Sequence, residues 1–311
     1  MDSKRCAALL LEHDRILIVT HKNPDGDTAS CAAALCSALR RAGRSAAIFP
    51  NRQLSRKLMP YCEPFFAPAD FSPDFTVSVD VADAKLFCLG FEGAVDLCID
   101  HHPSNTRYAR ESLIEGERAS CAEIVMSLVR DLTGTITAEE ATVLYIGLST
   151  DTGCFQYANT DAAAFRAAAE LLSLGADNRS VNLRFFREAS PARIRLEAMI
   201  YAGIRFYRGG KIAVATVTQE MLGSSGAVED DLDDLAGLAG RCEGSVVNIT
   251  IREKQDGSCR VSLRSRPEVN CSEICAVFGG GGHAMAAGCT VDGTPERVRE
   301  LLVSAVEEAL P

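Results

Sequence analysis

The chain opens its regular pattern at Arg15-Ile-Leu-Ile-Val-Thr20, an unbroken apolar, β-branched run of the kind buried on both faces of a parallel sheet. From Thr28 to Ala42 the spacing becomes helical, with Cys31, Leu35, Ala38 and Leu39 on one face and Gly43 as the stop. Ala46 to Phe49, Phe75 to Val79 and Val95 to Ile99 read as further strands, and the stretch from Pro60 to Pro73 reads as irregular. Ser120-Cys-Ala-Glu123 and Thr137-Ala-Glu-Glu140 are capping-box patterns that open two helices, and Asp161 to Leu174 and Pro191 to Arg205 predict two more. After Lys211 short alternating strands take over: Lys211 to Val217, Ser245 to Ile251 and Cys259 to Leu263, the last two joined across Gln255-Asp-Gly-Ser258. Helices over Asn270 to Phe278 and Thr294 to Leu310 complete the pattern. The fold class is therefore α/β, with a parallel-sheet N-terminal domain over residues 1–188, a linker helix over 189–208, and a smaller α/β domain over 209–311.

A length of 311 residues suits two domains, and 47% hydrophobic with 24% charged residues is the balance of a soluble folded protein. No apolar run is long enough to span a bilayer, and Leu9 to Leu11 runs straight into Glu12, His13 and Asp14, which leaves no signal-peptide core. A cytoplasmic location is expected. The thirteen cysteines are odd in number, scattered, and lack a Cys-x-x-Cys pair, so they read as reduced and mostly buried thiols. Cys271 and Cys275 could share a helix face as small apolar core residues. The net charge of −10 argues against wrapping a long nucleic acid, which requires many phosphates to be neutralised. Small anions remain compatible, since a few cations can build a local positive site on an acidic protein.

The candidate chemistry sits where strands end. Beyond the first run comes His21-Lys-Asn-Pro-Asp25-Gly-Asp27, beyond Val79 comes Asp80, and beyond Ile99 come Asp100, His101 and His102. In open α/β sheets ligands gather at the carboxyl ends of strands, so these groups would share one edge. Two readings stand at the first segment. Asp27 or Thr28 could simply cap the following helix, or the three donors around a Pro-Asp-Gly turn could form a metal nest. Asp151 falls near a helix C-terminus, where the macrodipole disfavours a carboxylate unless a cation faces it. Gly279-Gly-Gly-Gly282-His283 could present consecutive N–H groups to an anion, or be a flexible turn, and no Gly-Lys-Ser/Thr follows to make it a P-loop.

Taken together, His21/Asp25/Asp27, Asp80, Asp100-His101-His102, Asp151 and Gly280-Gly-Gly-His283, in that order, resemble the DHH phosphoesterase family over almost the whole chain. The C-terminal part resembles the DHH-associated domain, whose Ser-x-Arg-Ser element matches Ser262-Leu-Arg264-Ser265. At this length the similarity is to the group of bifunctional oligoribonucleases and 3′-phosphoadenosine 5′-phosphate phosphatases, the nanoRNases. Ser30 stands where that pattern often has Gly, and no Arg follows Asp80 at the usual distance.

The resemblance implies one metal ion held by His21, Asp25 and Asp80 and a second held by Asp27, Asp80, His101 and Asp151, with Asp80 bridging. Donor sets of this kind, rich in oxygen, suit Mn²⁺ or Mg²⁺ better than zinc. Asp100 is expected to orient His101 from behind, and His102 to stabilise the phosphorane or protonate the leaving oxygen while a shared hydroxide attacks phosphorus. Arg264, Ser265, Gly280, Gly281, Gly282 and His283 are expected to bind substrate across an interdomain cleft, with contributions from Asn105 and Arg118. The implied substrates are short RNA oligonucleotides or small nucleotides, with no membrane partner, and a homodimer is open.

Cyclic or linear dinucleotide hydrolysis is the alternative. An inorganic pyrophosphatase shares the metal motifs, but its C-terminal domain lacks the glycine-histidine loop. An inactive nucleotide-binding regulator would not need every ligand position filled.

Overall fold

The computed structural model describes residues 1–228, 231–232 and 235–310, which form two compact units, Met1–Glu188 and Ala189–Pro311. Among the described residues no helix is long and apolar enough to cross a membrane.

The first unit carries strands β1 (Arg15–Val19), β2 (Ser45–Ile48), β3 (Phe75–Val79), β4 (Leu97–Asp100) and β5 (Glu111–Ile114) in one sheet of order β2-β1-β3-β4-β5. Every pairing in it is parallel. Around the sheet lie helices α1 (Ser3–Leu11), α2 (Gly26–Arg41), α3 (Met59–Cys62), α4 (Cys121–Thr133), α5 (Ala138–Asp151), α6 (Ala162–Ser173) and α7 (Asn178–Asn182). The apolar runs of β1, β3 and β4 are buried almost throughout, as a sheet covered on both faces requires. Strand β5 lies at the sheet's margin, where only Leu113 is buried, and its weak apolar pattern hid it in the sequence. Helix α2 packs against both α4 and α5, so its alanines and cysteines are buried nearly all round instead of on one stripe. The core joins Ile16 and Ile18 to Leu35, Leu39, Val77 and Ile99.

The second unit contains α8 (Pro191–Gly203), β6 (Arg205–Tyr207), β7 (Ile212–Val217), α9 (Gln219–Ser225), β8 (Val247–Glu253), β9 (Ser258–Ser265), α10 (Cys271–Val277), β10 (Gly281–His283), β11 (Ala286–Asp292) and α11 (Pro295–Ala309). Its mixed sheet has the order β10-β11-β9-β8-β7-β6, parallel only between β7 and β8. Alternation along β7 sends Ile212 and Val214 to one core with Cys271, Cys275 and Leu302, and Ala213, Ala215 and Val217 to another with Leu196 and Ile200. Helix α8, expected as a linker, is thus packed into this unit through Leu196 and Ile200. All thirteen cysteines are free thiols, eleven of them buried.

Candidate metal centre

Asp25 is the N-cap of α2, accepting from the N–H groups of Asp27 (3.0 Å) and Thr28 (3.1 Å). The helix therefore starts two residues before the expected Thr28, and Asp27 is freed from local capping. Asp27 points instead into the core, where it is 1% exposed and accepts from the N–H groups of Cys121 (2.6 Å) and Ala122 (3.0 Å). The carboxylate of a residue in the first turn of α2 thereby caps α4, a helix 94 positions away. Ser120, the expected cap of α4, makes no side-chain capping bond, and Glu123 accepts from the N–H of Ala119, one residue before the cap, at 2.9 Å. The Thr137/Glu140 box on α5 is complete.

Asp80 follows β3 in a left-handed conformation, φ +57°, which Asp adopts more readily than most residues. Its side chain is 3% exposed, and its Oδ1 has no hydrogen-bond partner among the described residues. That oxygen lies 3.5 Å from His101 Nε2 and 3.6 Å from His102 Nδ1. His101 Nε2 is also 3.6 Å from Asp151 Oδ2 and 4.0 Å from Asp27 Oδ2, and His21 Nε2 is 3.7 Å from Asp25 Oδ2. Asp151 is the last residue of α5, at the dipole's negative end. Three overlapping sets, His21/Asp25/Asp80, Asp27/His101/Asp151 and Asp80/His101/His102, each have ligand atoms within 4.8 Å of one another.

These separations are too long for good hydrogen bonds. Ligands about 2.1 Å from a shared octahedral ion stand roughly 3 to 4 Å apart, which matches them. Burial, then neighbouring carboxylates, push Asp27 and Asp80 well above the usual carboxylate range, and burial above all lifts Asp151 to about 6. Cations would relieve this crowding and satisfy the orphaned Asp80 oxygen, so the donor set fits divalent metal.

His102 is held differently. Its Nδ1 bonds Asp100 Oδ1 at 2.8 Å, a contact that raises its pKa against the effect of burial. Asp100, 0% exposed, stays below the usual range because the bonds from His102 and Asn105 outweigh its burial. The expected role of Asp100 is corrected here: it holds the ring of His102 and the backbone N–H of His101 (2.8 Å), whereas the His101 ring is oriented through Nδ1 by the Arg118 carbonyl at 3.1 Å.

Residues 15–148 match the model of the DHH family, N-terminal domain, and residues 209–310 match that of the DHHA1 domain. The bifunctional oligoribonuclease and PAP phosphatase NrnA of Thermus thermophilus is 34% identical, over 95% of this chain and 90% of its own length. The chain belongs to the DHH family. A probable bifunctional oligoribonuclease and PAP phosphatase NrnA of Streptococcus mutans is 25% identical, over 92% of both chains. Among solved structures, an exopolyphosphatase-related protein from Bacteroides fragilis shares the fold with a TM-score of 0.88 at 23% identity, covering 98% of this chain and 95% of its own.

In this DHH-family chain the remaining expected residues divide. Arg264 and Gly280 to Gly282 line one concavity of the second unit, about 540 Å³ in volume, together with Arg260 and Ser262. Gly281 to His283 form strand β10, paired with Ala286 to Gly288, instead of a loop of free N–H groups. Glycine is required there because a Cβ on Gly280 would lie 2.3 Å from the Gly288 carbonyl oxygen, and one on Gly282 would lie 2.6 Å from that of Ala286. His283 is exposed. Ser265 donates its hydroxyl to the Val269 carbonyl (2.5 Å). Arg118 pairs with Glu115 (2.7 Å) and Glu123 (3.7 Å). Asn105 has its polar atoms engaged within the protein: its amide nitrogen donates to Asp100 and to the Val81 carbonyl, and its oxygen accepts from Arg107 N–H.

Sequence reasoning missed two further asparagines. Asn159 donates to the carbonyls of both Ala119 (3.0 Å) and Asp151 (3.1 Å), and buried Asn51 donates to the carbonyl of His21 (3.0 Å). Their partners are distant in the chain, and no local pattern marks them.

Proposed function

We propose that this chain is a metal-dependent phosphoesterase that hydrolyses short oligoribonucleotides to 5′-mononucleotides and 3′-phosphoadenosine 5′-phosphate to AMP. The observation that carries the reading is the unpartnered, buried Asp80 Oδ1 standing between two sets of Asp and His donors. The oligoribonuclease and PAP phosphatase activity by which the Thermus thermophilus relative is named, matched over nearly the whole of both chains, supports the choice of substrates.

In this reading His21, Asp25 and Asp80 hold one divalent ion, and Asp27, Asp80, His101 and Asp151 hold the other. When bound, such a pair polarises the scissile phosphate and lowers the pKa of the attacking water. Asp27 and Asp80 are dehydrated and crowded, so they bind a doubly charged cation in preference to remaining ionised alone. His102 keeps its Nδ1 on Asp100, which leaves Nε2 as the ring atom able to donate to a leaving oxygen. Arg264 and Arg260 give the second unit's concavity the positive charge and fork geometry that bind phosphate. Carboxylates with one imidazole per ion favour Mn²⁺ or Mg²⁺ over zinc.

A side-by-side assay with a dinucleotide RNA, 3′-phosphoadenosine 5′-phosphate, a cyclic dinucleotide and pyrophosphate, in Mn²⁺ and in Mg²⁺, tests the reading. Mononucleotide and AMP formation, lost with a chelator and restored by Mn²⁺, is the expected outcome. Turnover of pyrophosphate alone, or of the cyclic dinucleotide alone, would overturn it.

A further inference from the structure

We propose that Asn105 is a positioning residue for the hydrolysis, fixing the His102 ring through Asp100. The inference rests on the phosphoesterase reading of the site and adds a residue that acts without touching substrate.

Three bonds make the arrangement rigid. Asn105 Nδ2 lies 2.5 Å from Asp100 Oδ2 and 3.1 Å from the Val81 carbonyl oxygen, so both of its amide hydrogens are used. Its Oδ1 accepts from Arg107 N–H at 2.7 Å, which fixes the amide's orientation: the nitrogen, and not the oxygen, faces the carboxylate. Asp100 then has one oxygen on Asn105 and the other on His102 Nδ1, 2.8 Å away. Val81 directly follows Asp80, and its carbonyl also accepts from Tyr108 hydroxyl at 2.8 Å. The amide therefore ties the turn after β3 to the turn after β4.

A carboxylate accepting on both oxygens cannot rotate to release the imidazole. With Nδ1 engaged, the ring presents Nε2 in a fixed direction. This matters because Asp80 Oδ1 lies only 3.6 Å from the same Nδ1. If Asp100 were loose, the ring could turn towards Asp80 and join the ligand set instead of the reaction. Asn105 thus keeps the neighbouring imidazoles apart in role, His101 towards the ion and His102 towards the leaving group.

The test compares Asn105→Ala, Asn105→Asp, His102→Ala and the double variant Asn105→Ala/His102→Ala in hydrolysis of a dinucleotide RNA with Mn²⁺. It is joined by ion stoichiometry and by the His102 Nδ1–H proton resonance of the metal-free protein. Asn105→Ala should lower kcat about 10- to 100-fold, the usual scale for residues that orient an active group from behind, with KM and bound ions unchanged. Asn105→Asp, which loses the donor and sets a second carboxylate against Asp100, should fall at least as far. In the His102→Ala background Asn105→Ala should cost nothing more, because its effect passes through the missing ring. The downfield Nδ1–H resonance should disappear in Asn105→Ala by faster exchange. An equal loss on both backgrounds, a loss of bound ion in Asn105→Ala, or an unchanged resonance would overturn the proposal. If the wild-type protein leaves the dinucleotide intact, the phosphoesterase reading fails on its own, and the resonance still decides whether Asn105 fixes the ring.

Discussion

The cluster of candidate metal ligands and the glycine strand are both made of short motifs, but they are held in opposite ways. Around Asp80 the side chains are fixed by other buried groups: Asp27 by the N-terminus of α4, His101 by the Arg118 carbonyl, His102 by Asp100. Along Gly280 to His283 the backbone does the holding, because Gly280 and Gly282 let the chain approach β11 where a Cβ at either position would collide. A residue type that supplies donor atoms announces its chemistry, whereas a residue type that supplies only absence of bulk announces a close approach and leaves its purpose to the neighbours. The two regions should therefore fail differently when altered.

The largest effect is expected at Asp80. Asp80→Ala removes a carboxylate common to both proposed ion sites, so dinucleotide hydrolysis should drop to background and bound Mn²⁺ should fall from two ions towards none. Retained turnover with both ions bound would break the dinuclear reading. In the second unit Arg264→Ala should lower kcat/KM for a dinucleotide roughly 10- to 100-fold, the scale of one charge-assisted contact, and leave a minimal ester such as bis-p-nitrophenyl phosphate nearly untouched. Equal losses on both esters would mean that Arg264 supports the fold instead of the substrate.

Stability separates the regions more finely. Gly280→Ala drives a methyl group into the Gly288 carbonyl and Cys289, and overpacking of this kind costs about 1 to 3 kcal/mol in a denaturant melt. Asp27→Ala in metal-free protein should cost a comparable amount, about 1 to 3 kcal/mol, because it leaves two buried N–H groups of α4 without an acceptor. Asp80→Ala should go the other way and stabilise the metal-free protein, since it removes an oxygen with no partner. A neutral or stabilised Asp27→Ala would show that Asp27 does not cap α4, and a destabilised Asp80→Ala would show that its unpartnered oxygen carries no penalty.

Much of this was legible beforehand because parallel strands end abruptly. Apolar runs stopping on Asp80 and on Asp100-His101-His102 mark the donors as belonging to one sheet edge, and the Thr137/Glu140 capping box marks where α5 begins. What stayed hidden was action at a distance. Ser120 looked like the cap of α4, yet the acceptor came from Asp27, and the buried Ser120 hydroxyl has no partner among the described residues. Asn105 and Ser265 looked available to substrate because sequence shows donors and acceptors but not which are already spent. The margin strand β5 and the glycine strand β10 escaped because neither has the apolar alternation by which strands are read.

The smallest expected effect concerns protons. Asp151 rises from 3.8 to about 6 on folding, chiefly by burial, and Asp27 and Asp80 rise well above the same starting value. A carboxyl whose folded value is raised binds its proton more tightly in the native state. The native protein then holds more protons than the unfolded chain, and stability falls as pH rises through that interval. His102, also raised, through its bond to Asp100, acts in the same direction, losing its contribution as pH climbs past its folded value. Asp100 is lowered and acts oppositely, but only below the ordinary carboxylate range. The metal-free protein should accordingly melt at a lower temperature near pH 7 than near pH 5, and added Mn²⁺ should raise Tm more at the higher pH, because ions and protons compete for the same oxygens. General repulsion in a chain of net charge −10 would produce a similar slope, so the comparison that decides is with Asp80→Ala. Removing that one carboxylate should flatten the pH dependence well beyond what a single surface charge could do. Parallel wild-type and variant curves would assign the slope to the whole surface and leave the cluster without a special share in it.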